Sequence, residues 1–216
     1  MLILGVDIAA RKGGSNCGLG LITPIRELVS VRSIDGTSLS EIASAISYAR
    51  GQAVGRIHRP DPAGVVADDG LLIAIERQFA ARVGPDPSAV EKLVGARTRF
   101  ETVAEIRGVP YVLVYPSVWQ ATMFALLLEL GLEIPTKIHK PRKPKVKKVV
   151  KGKAPPPVLP AQPELPEVPA KQKLVRDTKA ASRLLCAHLF PGVELTDDEC
   201  DALGLALHVA RDRGLR

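Results

Sequence analysis

Four acids, Asp7, Glu76, Asp198 and Asp201, stand where a purely structural role is hard to supply. Asp7 closes the apolar run Leu2-Ile-Leu-Gly-Val, and Glu76 closes Leu71-Leu-Ile-Ala-Ile. Two neighbouring buried strands that end at one sheet edge would bring these two carboxylates together. Asp198 and Asp201, at i and i+3 where a helix begins, project from one face of its first turn. Asp197 and Asp201, at i and i+4, share a face as well, so spacing leaves the choice between Asp197 and Asp198 open. Acids in a first turn also serve as ordinary dipole partners, which covers Asp197, Asp198 and Glu199 but not Asp201 beside its apolar neighbours Ala202, Leu203 and Leu205. Carboxylates gathered at one point repel each other and stay ionised only with cations between them. Oxygen ligands without His or Cys suit Mg²⁺ or Mn²⁺. Two such ions, about 3.5–4 Å apart, activate a water and stabilise the leaving oxygen of a phosphodiester. The chemistry expected is therefore metal-dependent hydrolysis with two ions per site.

The elements that must position these acids follow from periodicity. Leu2–Asp7, Gly18–Thr23 and Glu27–Ser33 read as a three-stranded meander with turn residues between them. A helix from Ser38 or Ser40 to about His58 carries Ile42, Ala45, Ile46 and Ala49 on one stripe. Leu71–Glu76 is a buried strand. Ser88 with Glu91 forms a capping-box pattern that opens a helix to about Arg107. Val109–Tyr115 is a further strand, Trp119–Leu132 a short apolar helix, and the spans 177–190 and 196–213 two closing helices. Meander strands followed by strand and helix alternation predict an α/β fold, a mixed five-stranded sheet flanked by helices.

Composition fixes the setting. A chain of 216 residues, 46% hydrophobic and 25% charged, is globular and suits one domain, residues 1–216, around a single core. Its apolar stretches fall short of the roughly 20 residues of a membrane span, and the N-terminus lacks the basic segment of a signal peptide. Three cysteines without metal-site spacing point to a reducing cytoplasm. Residues 134–173 interrupt the domain and hold ten of the eighteen prolines, so they read as an extended insertion with no regular core element. Its first half contains nine Lys/Arg and no acid between Thr136 and Lys153, among them Lys137, Lys140, Arg142, Lys143, Lys145, Lys147 and Lys148. The net charge of +7 thus belongs to this segment, and the remainder is slightly acidic. Nucleic acid is the natural partner of such a run.

Ile3-Leu4-Gly5-Val6-Asp7, Ile75-Glu76-Arg77-Gln78-Phe79 and Asp198-Glu199-Cys200-Asp201-Ala202-Leu203, in this order of elements, resemble the RuvC family of Holliday junction resolvases. Asp177-Thr178-Lys179-Ala180-Ala181-Ser182-Arg183 is similar to the family's lysine-bearing helix. The resemblance covers residues 1–133 and 174–213 and implies the ribonuclease-H-like superfold, in a phage-type member with a basic, Pro-rich insertion. It implies a homodimer that binds branched DNA, a four-way junction, and nicks two opposed strands. Asp7, Glu76, Asp198 and Asp201 fall at the family's metal positions, and Lys179 matches a lysine near the scissile phosphate. Phe79 matches an aromatic that stacks on bases, with Arg77 beside it facing DNA.

The sequence departs from that family in three places. Ile8–Cys17 is longer than the usual turn and lacks its Pro-Gly, and Arg11 and Lys12 make it a candidate basic, Gly-rich phosphate contact. Trp119-Gln120 stands where the family carries a lysine. The insertion replaces a short loop. Two other functions fit the same residues: a nuclease acting on other branched DNA or on RNA, and a non-catalytic DNA-binding protein. The second has no reason to concentrate four acids near DNA.

Overall fold

A computed structural model of the chain describes residues 1–11, 14–57, 70–77, 87–138 and 174–214. The first strand, β1 (Leu2–Arg11), pairs antiparallel with β2 (Gly14–Ile22), which pairs antiparallel with β3 (Leu28–Asp35). After helix α1 (Leu39–Ile57), β4 (Leu71–Glu76) lies parallel to β1 on its other side. Helix α2 (Pro87–Ile106) leads to β5 (Tyr111–Val114), parallel to β4 at the edge. The strand order is β3-β2-β1-β4-β5, a mixed five-stranded sheet as expected. Helices α3 (Pro116–Glu129), α4 (Thr178–Leu189) and α5 (Asp197–Asp212) complete it. No helix among the described residues is long and apolar enough to cross a membrane.

Strand alternation decides which helices each side chain meets. On β1, Leu2, Leu4, Val6 and Ile8 join Leu71, Ile73 and Ile75 of β4 in a core under α1 and α2. Ile3 of β1 and Leu72 and Ala74 of β4 belong to the other core, under α3, α4 and α5. Asp7 and Glu76 continue that second set. They stand one step beyond the parallel pair Val6↔Ile75, on adjacent strands.

Glycines on the same face let α5 descend onto the sheet. A Cβ on Gly5 would lie 1.8 Å from the carbonyl oxygen of Ala202, and one on Gly18 would lie 2.0 Å from that of Asp198. Gly18 is also the cross-strand partner of Asp7. Backbone of β1 and β2 therefore rests against backbone of α5, an approach that any side chain would prevent. The first turn of α5 is fixed as well by a capping box, in which Thr196 accepts from the Glu199 backbone and Glu199 accepts from that of Thr196 at 2.8 Å. The other Glu199 oxygen accepts from Ser33 of β3 at 3.1 Å.

Three expectations change. β1 does not end at Asp7: cross-strand pairs from Ile8↔Cys17 to Arg11↔Gly14 carry the hairpin past it, so most of the supposed turn is paired strand. The second helix begins at Pro87, which puts Ser88 inside the first turn rather than at its cap. The insertion also begins in regular structure, because β6 (Thr136–Ile138) pairs antiparallel with β7 (Leu174–Arg176). Thr136-Lys137-Ile138 contains no proline and so keeps its backbone donors. The chain divides into two compact units, Met1–Pro135 with Thr178–Arg216, and Thr136–Asp177.

The glycine floor yields a first prediction. Gly18→Ala should lower the free energy of unfolding in urea by at least about 1–3 kcal/mol, the range for overpacking, since rigid backbone must move. A variant as stable as the parent would mean that α5 does not rest on β2 in this way.

Candidate active site

Asp7, Glu76 and Asp198 are each only 7% exposed, which is unusual for carboxylates unless something compensates them. Burial pushes the Asp7 carboxyl well above its ordinary value, and the charges of Glu76, Asp201 and Asp198 push it further. A hydrogen bond to Glu76 acts the same way. Asp201 is pushed up to about 6, first by burial and then by Glu76, while the Ser182 hydroxyl and the Lys179 ammonium pull it down. Asp7 thus feels the other three acids, and Asp201 feels Glu76, across β1, β4 and α5.

Each outer acid has a neighbour that orients it. The Trp119 Nε1–H donates to Glu76 Oε1 at 3.1 Å, and the Asn16 amide donates to Asp198 Oδ2 at 2.9 Å. Asp201 Oδ1 is buried and has no hydrogen-bond partner. Asp197 points elsewhere. It pairs with Lys179 at 3.4 Å and with Arg183, both on α4, and these partners hold its carboxyl below the usual range. Of the two adjacent aspartates, Asp198 is the one whose charge reaches Asp7.

The donor set is all oxygen, which suits a hard divalent cation, and the partnerless Asp201 oxygen is a ready ligand. As the side chains stand, no group of three or more His, Cys, Asp or Glu among the described residues is arranged to hold an ion. Asp7 and Glu76 lie within hydrogen-bonding reach of each other, which also raises the Asp7 carboxyl. The chemistry of the residues fits a divalent cation held between them.

The remaining sequence candidates fall in several places. Lys179 is exposed, bridges to Asp197, and is near enough to Asp201 to lower its pKa. Arg77, next to Glu76, is exposed with its guanidinium 4.7 Å above the Tyr115 ring. Arg11 lies in β1, but its side chain is outside the described residues, as are Lys12 and Phe79. Lys137 pairs with Asp177 at 3.1 Å at the foot of the β6–β7 ladder. Lys140, Arg142, Lys143, Lys145, Lys147 and Lys148 are outside the described residues. Periodicity did not reveal Asn16, Ser182 or Arg183. Asn16 lies on β2 two positions before the glycine that faces α5, a signal that needs the register to be read.

Two further groups belong to the surroundings. His208 shares a 2.8 Å hydrogen bond with Thr122 of α3, and burial lowers its pKa. Cys17, Cys186 and Cys200 are free and buried, with the Cys17 thiol pushed up to about 12 by burial and then by Asp7.

No family model matches the sequence, and no curated protein matches it significantly. Among solved structures, the chain is similar to a Thermus thermophilus RuvC in complex with a Holliday junction substrate. The identity is 14%, with 99% of this chain and 96% of that one covered and a TM-score of 0.48. A second Thermus thermophilus RuvC structure matches at 16% identity over 99% and 96% of the two chains, with a TM-score of 0.46.

The crowding has a signature in stability without metal. The folded Asp201 keeps its proton up to about pH 6, whereas an ordinary aspartate releases it near 3.8. The native state then binds more protons than the unfolded state. The stability this contributes is complete below about pH 4 and is lost as pH rises through about 6. The Asp7 shift has the same sign. In chelator, Asp201→Asn should therefore become more stable relative to the parent as pH rises over this range. At pH 8 the gain should be on the order of 1 kcal/mol, a few degrees in Tm. A difference independent of pH would mean that Asp201 is not crowded.

Proposed function

We propose that the protein is a divalent-metal-dependent, structure-selective DNA endonuclease that acts on branched DNA. The observation that carries this reading is the convergence of Asp7, Glu76, Asp198 and Asp201 on one face of a ribonuclease-H-like sheet. Burying four like charges together costs stability, and a fold has no structural need for it. The resemblance of the three acid-bearing motifs to the RuvC family supports the four-way junction as substrate, cut by paired nicks in a homodimer.

Asp7, Glu76, Asp198 and Asp201 would hold two Mg²⁺ or Mn²⁺ ions. Bound there, such ions would supply an activated water and charge stabilisation for in-line hydrolysis of a phosphodiester. Asp7, whose field is shared with the other three acids, would be the common ligand. Glu76 and Asp198 would be presented by Trp119 and Asn16, and Asp201 would offer its partnerless oxygen. Lys179, held beside α5 by Asp197, would meet a phosphate oxygen and offset its charge. Arg77, stacked on Tyr115, would sit against the DNA backbone as a preorganised cation. Hydrolysis would leave a 5′-phosphate and a 3′-hydroxyl.

Asp7→Asn should bind a four-way junction with parental affinity, measured by gel shift in Ca²⁺, and cut it at least about 10²-fold more slowly in Mg²⁺. Undiminished cutting would remove the proposal. Parallel assays on three-way, flap and RNA substrates assign the substrate class: faster turnover of RNA would favour an RNA-processing nuclease over a resolvase.

The basic run between Lys137 and Lys153 would contribute sequence-independent binding to phosphates. Replacing its lysines and arginines by Gln should weaken junction binding and flatten the dependence of log Kd on log salt, by nearly one for each phosphate no longer neutralised. An unchanged slope would make this segment a spacer.

A further inference from the structure

Glu76 receives its oriented hydrogen bond from a neutral group. Trp119 is 1% exposed and lies in the first turn of α3, where its Nε1–H meets Glu76 Oε1 at 3.1 Å. Another edge of the indole lies against α5. A Cβ on Gly204 would stand 3.0 Å from Cζ3 of the ring and 3.2 Å from Cε3. The ring is thus wedged between a carboxylate of β4 and the backbone of the helix that carries Asp198 and Asp201.

A buried carboxylate oxygen can be satisfied by a cation or by a neutral donor, and the two differ in what they leave behind. A lysine or arginine at this point would cancel one of the negative charges that attract a metal ion. An indole N–H donates one hydrogen bond in a fixed direction and cancels none. It also fixes the plane of the Glu76 carboxylate against the packed face of α3.

We propose that Trp119 is a positioning residue for metal binding: its indole N–H holds the Glu76 carboxylate in one orientation and adds no positive charge to the cluster. This rests on reading the acids as a cation site. Trp119 touches neither the cation nor the DNA in this account. Its removal should therefore change affinity for metal and leave affinity for the junction alone.

The test uses the full-length protein and Mn²⁺ alone as probe, with binding followed by electron paramagnetic resonance. Trp119→Phe keeps an aromatic ring and removes the donor. It should raise the Kd for Mn²⁺ roughly 3- to 10-fold, the effect of removing one buried hydrogen bond. The Mg²⁺ concentration for half-maximal cleavage should rise by a similar factor, with Kd for a four-way junction in Ca²⁺ within twofold of the parent. Equal Mn²⁺ affinity in parent and variant would overturn the positioning role while leaving the cation site in place. A parent that binds no Mn²⁺ would overturn the cation site itself. Trp119 is the chain's single tryptophan, so the parent also reports directly should the variant fail to fold. Its emission should change saturably with Mg²⁺, at the concentration that half-activates cleavage. Constant emission while Mn²⁺ binds would overturn the proposal.

Discussion

Repulsion among buried carboxylates is the constraint around which this domain is organised. Left alone, Asp198 and Asp201 would move away from Asp7 and Glu76 by lifting α5 off the sheet. Apolar packing opposes that movement. Leu203, Leu205, Ala206, Leu207 and Val209 are buried among the side chains of α3, α4 and the sheet. Lifting the helix would expose them at a cost of about 25 cal/mol for each Å² of apolar surface. The acids are held together by hydrophobic area elsewhere on the helix that carries two of them.

Close approach sets how near they come. With side chains at positions 5 and 18, α5 would ride higher, and the same four acids would interact more weakly. Glycines there bring helix backbone against strand backbone. The strained electrostatics of the site and the bare floor beneath it are thus two sides of one arrangement. The capping box at Thr196 and Glu199, with the tie from Ser33, holds the helix end that would otherwise fray under the repulsion.

Polar neighbours divide into two kinds. Trp119 and Asn16 are neutral donors that fix direction without changing the charge of the cluster. Lys179 and Arg183 are cations, and both are drawn to Asp197, the aspartate turned away from Asp7. Charge compensation is thereby kept at the exposed rim, where water already screens it. The interior thus receives neutral donors, which add no positive charge to it.

Local pattern alone was enough for the five strands of the mixed sheet and the helices around them, because strand period and apolar runs are properties of the chain itself. It was enough also to place Asp201 beside an apolar face. It could not choose between Asp197 and Asp198, since both spacings put two carboxylates on one side of a helix. As α5 packs, Asp198 is the one buried near Asp7 while Asp197 pairs with Lys179 and Arg183, an arrangement that depends on elements distant in sequence. Nor could pattern extend β1 beyond Asp7, because the pairs from Ile8↔Cys17 onward exist only once β2 folds back. Trp119 showed only as an unusual residue at its position. Its meaning comes from meeting Glu76, 43 residues earlier in the chain, inside a packed core that no local rule describes.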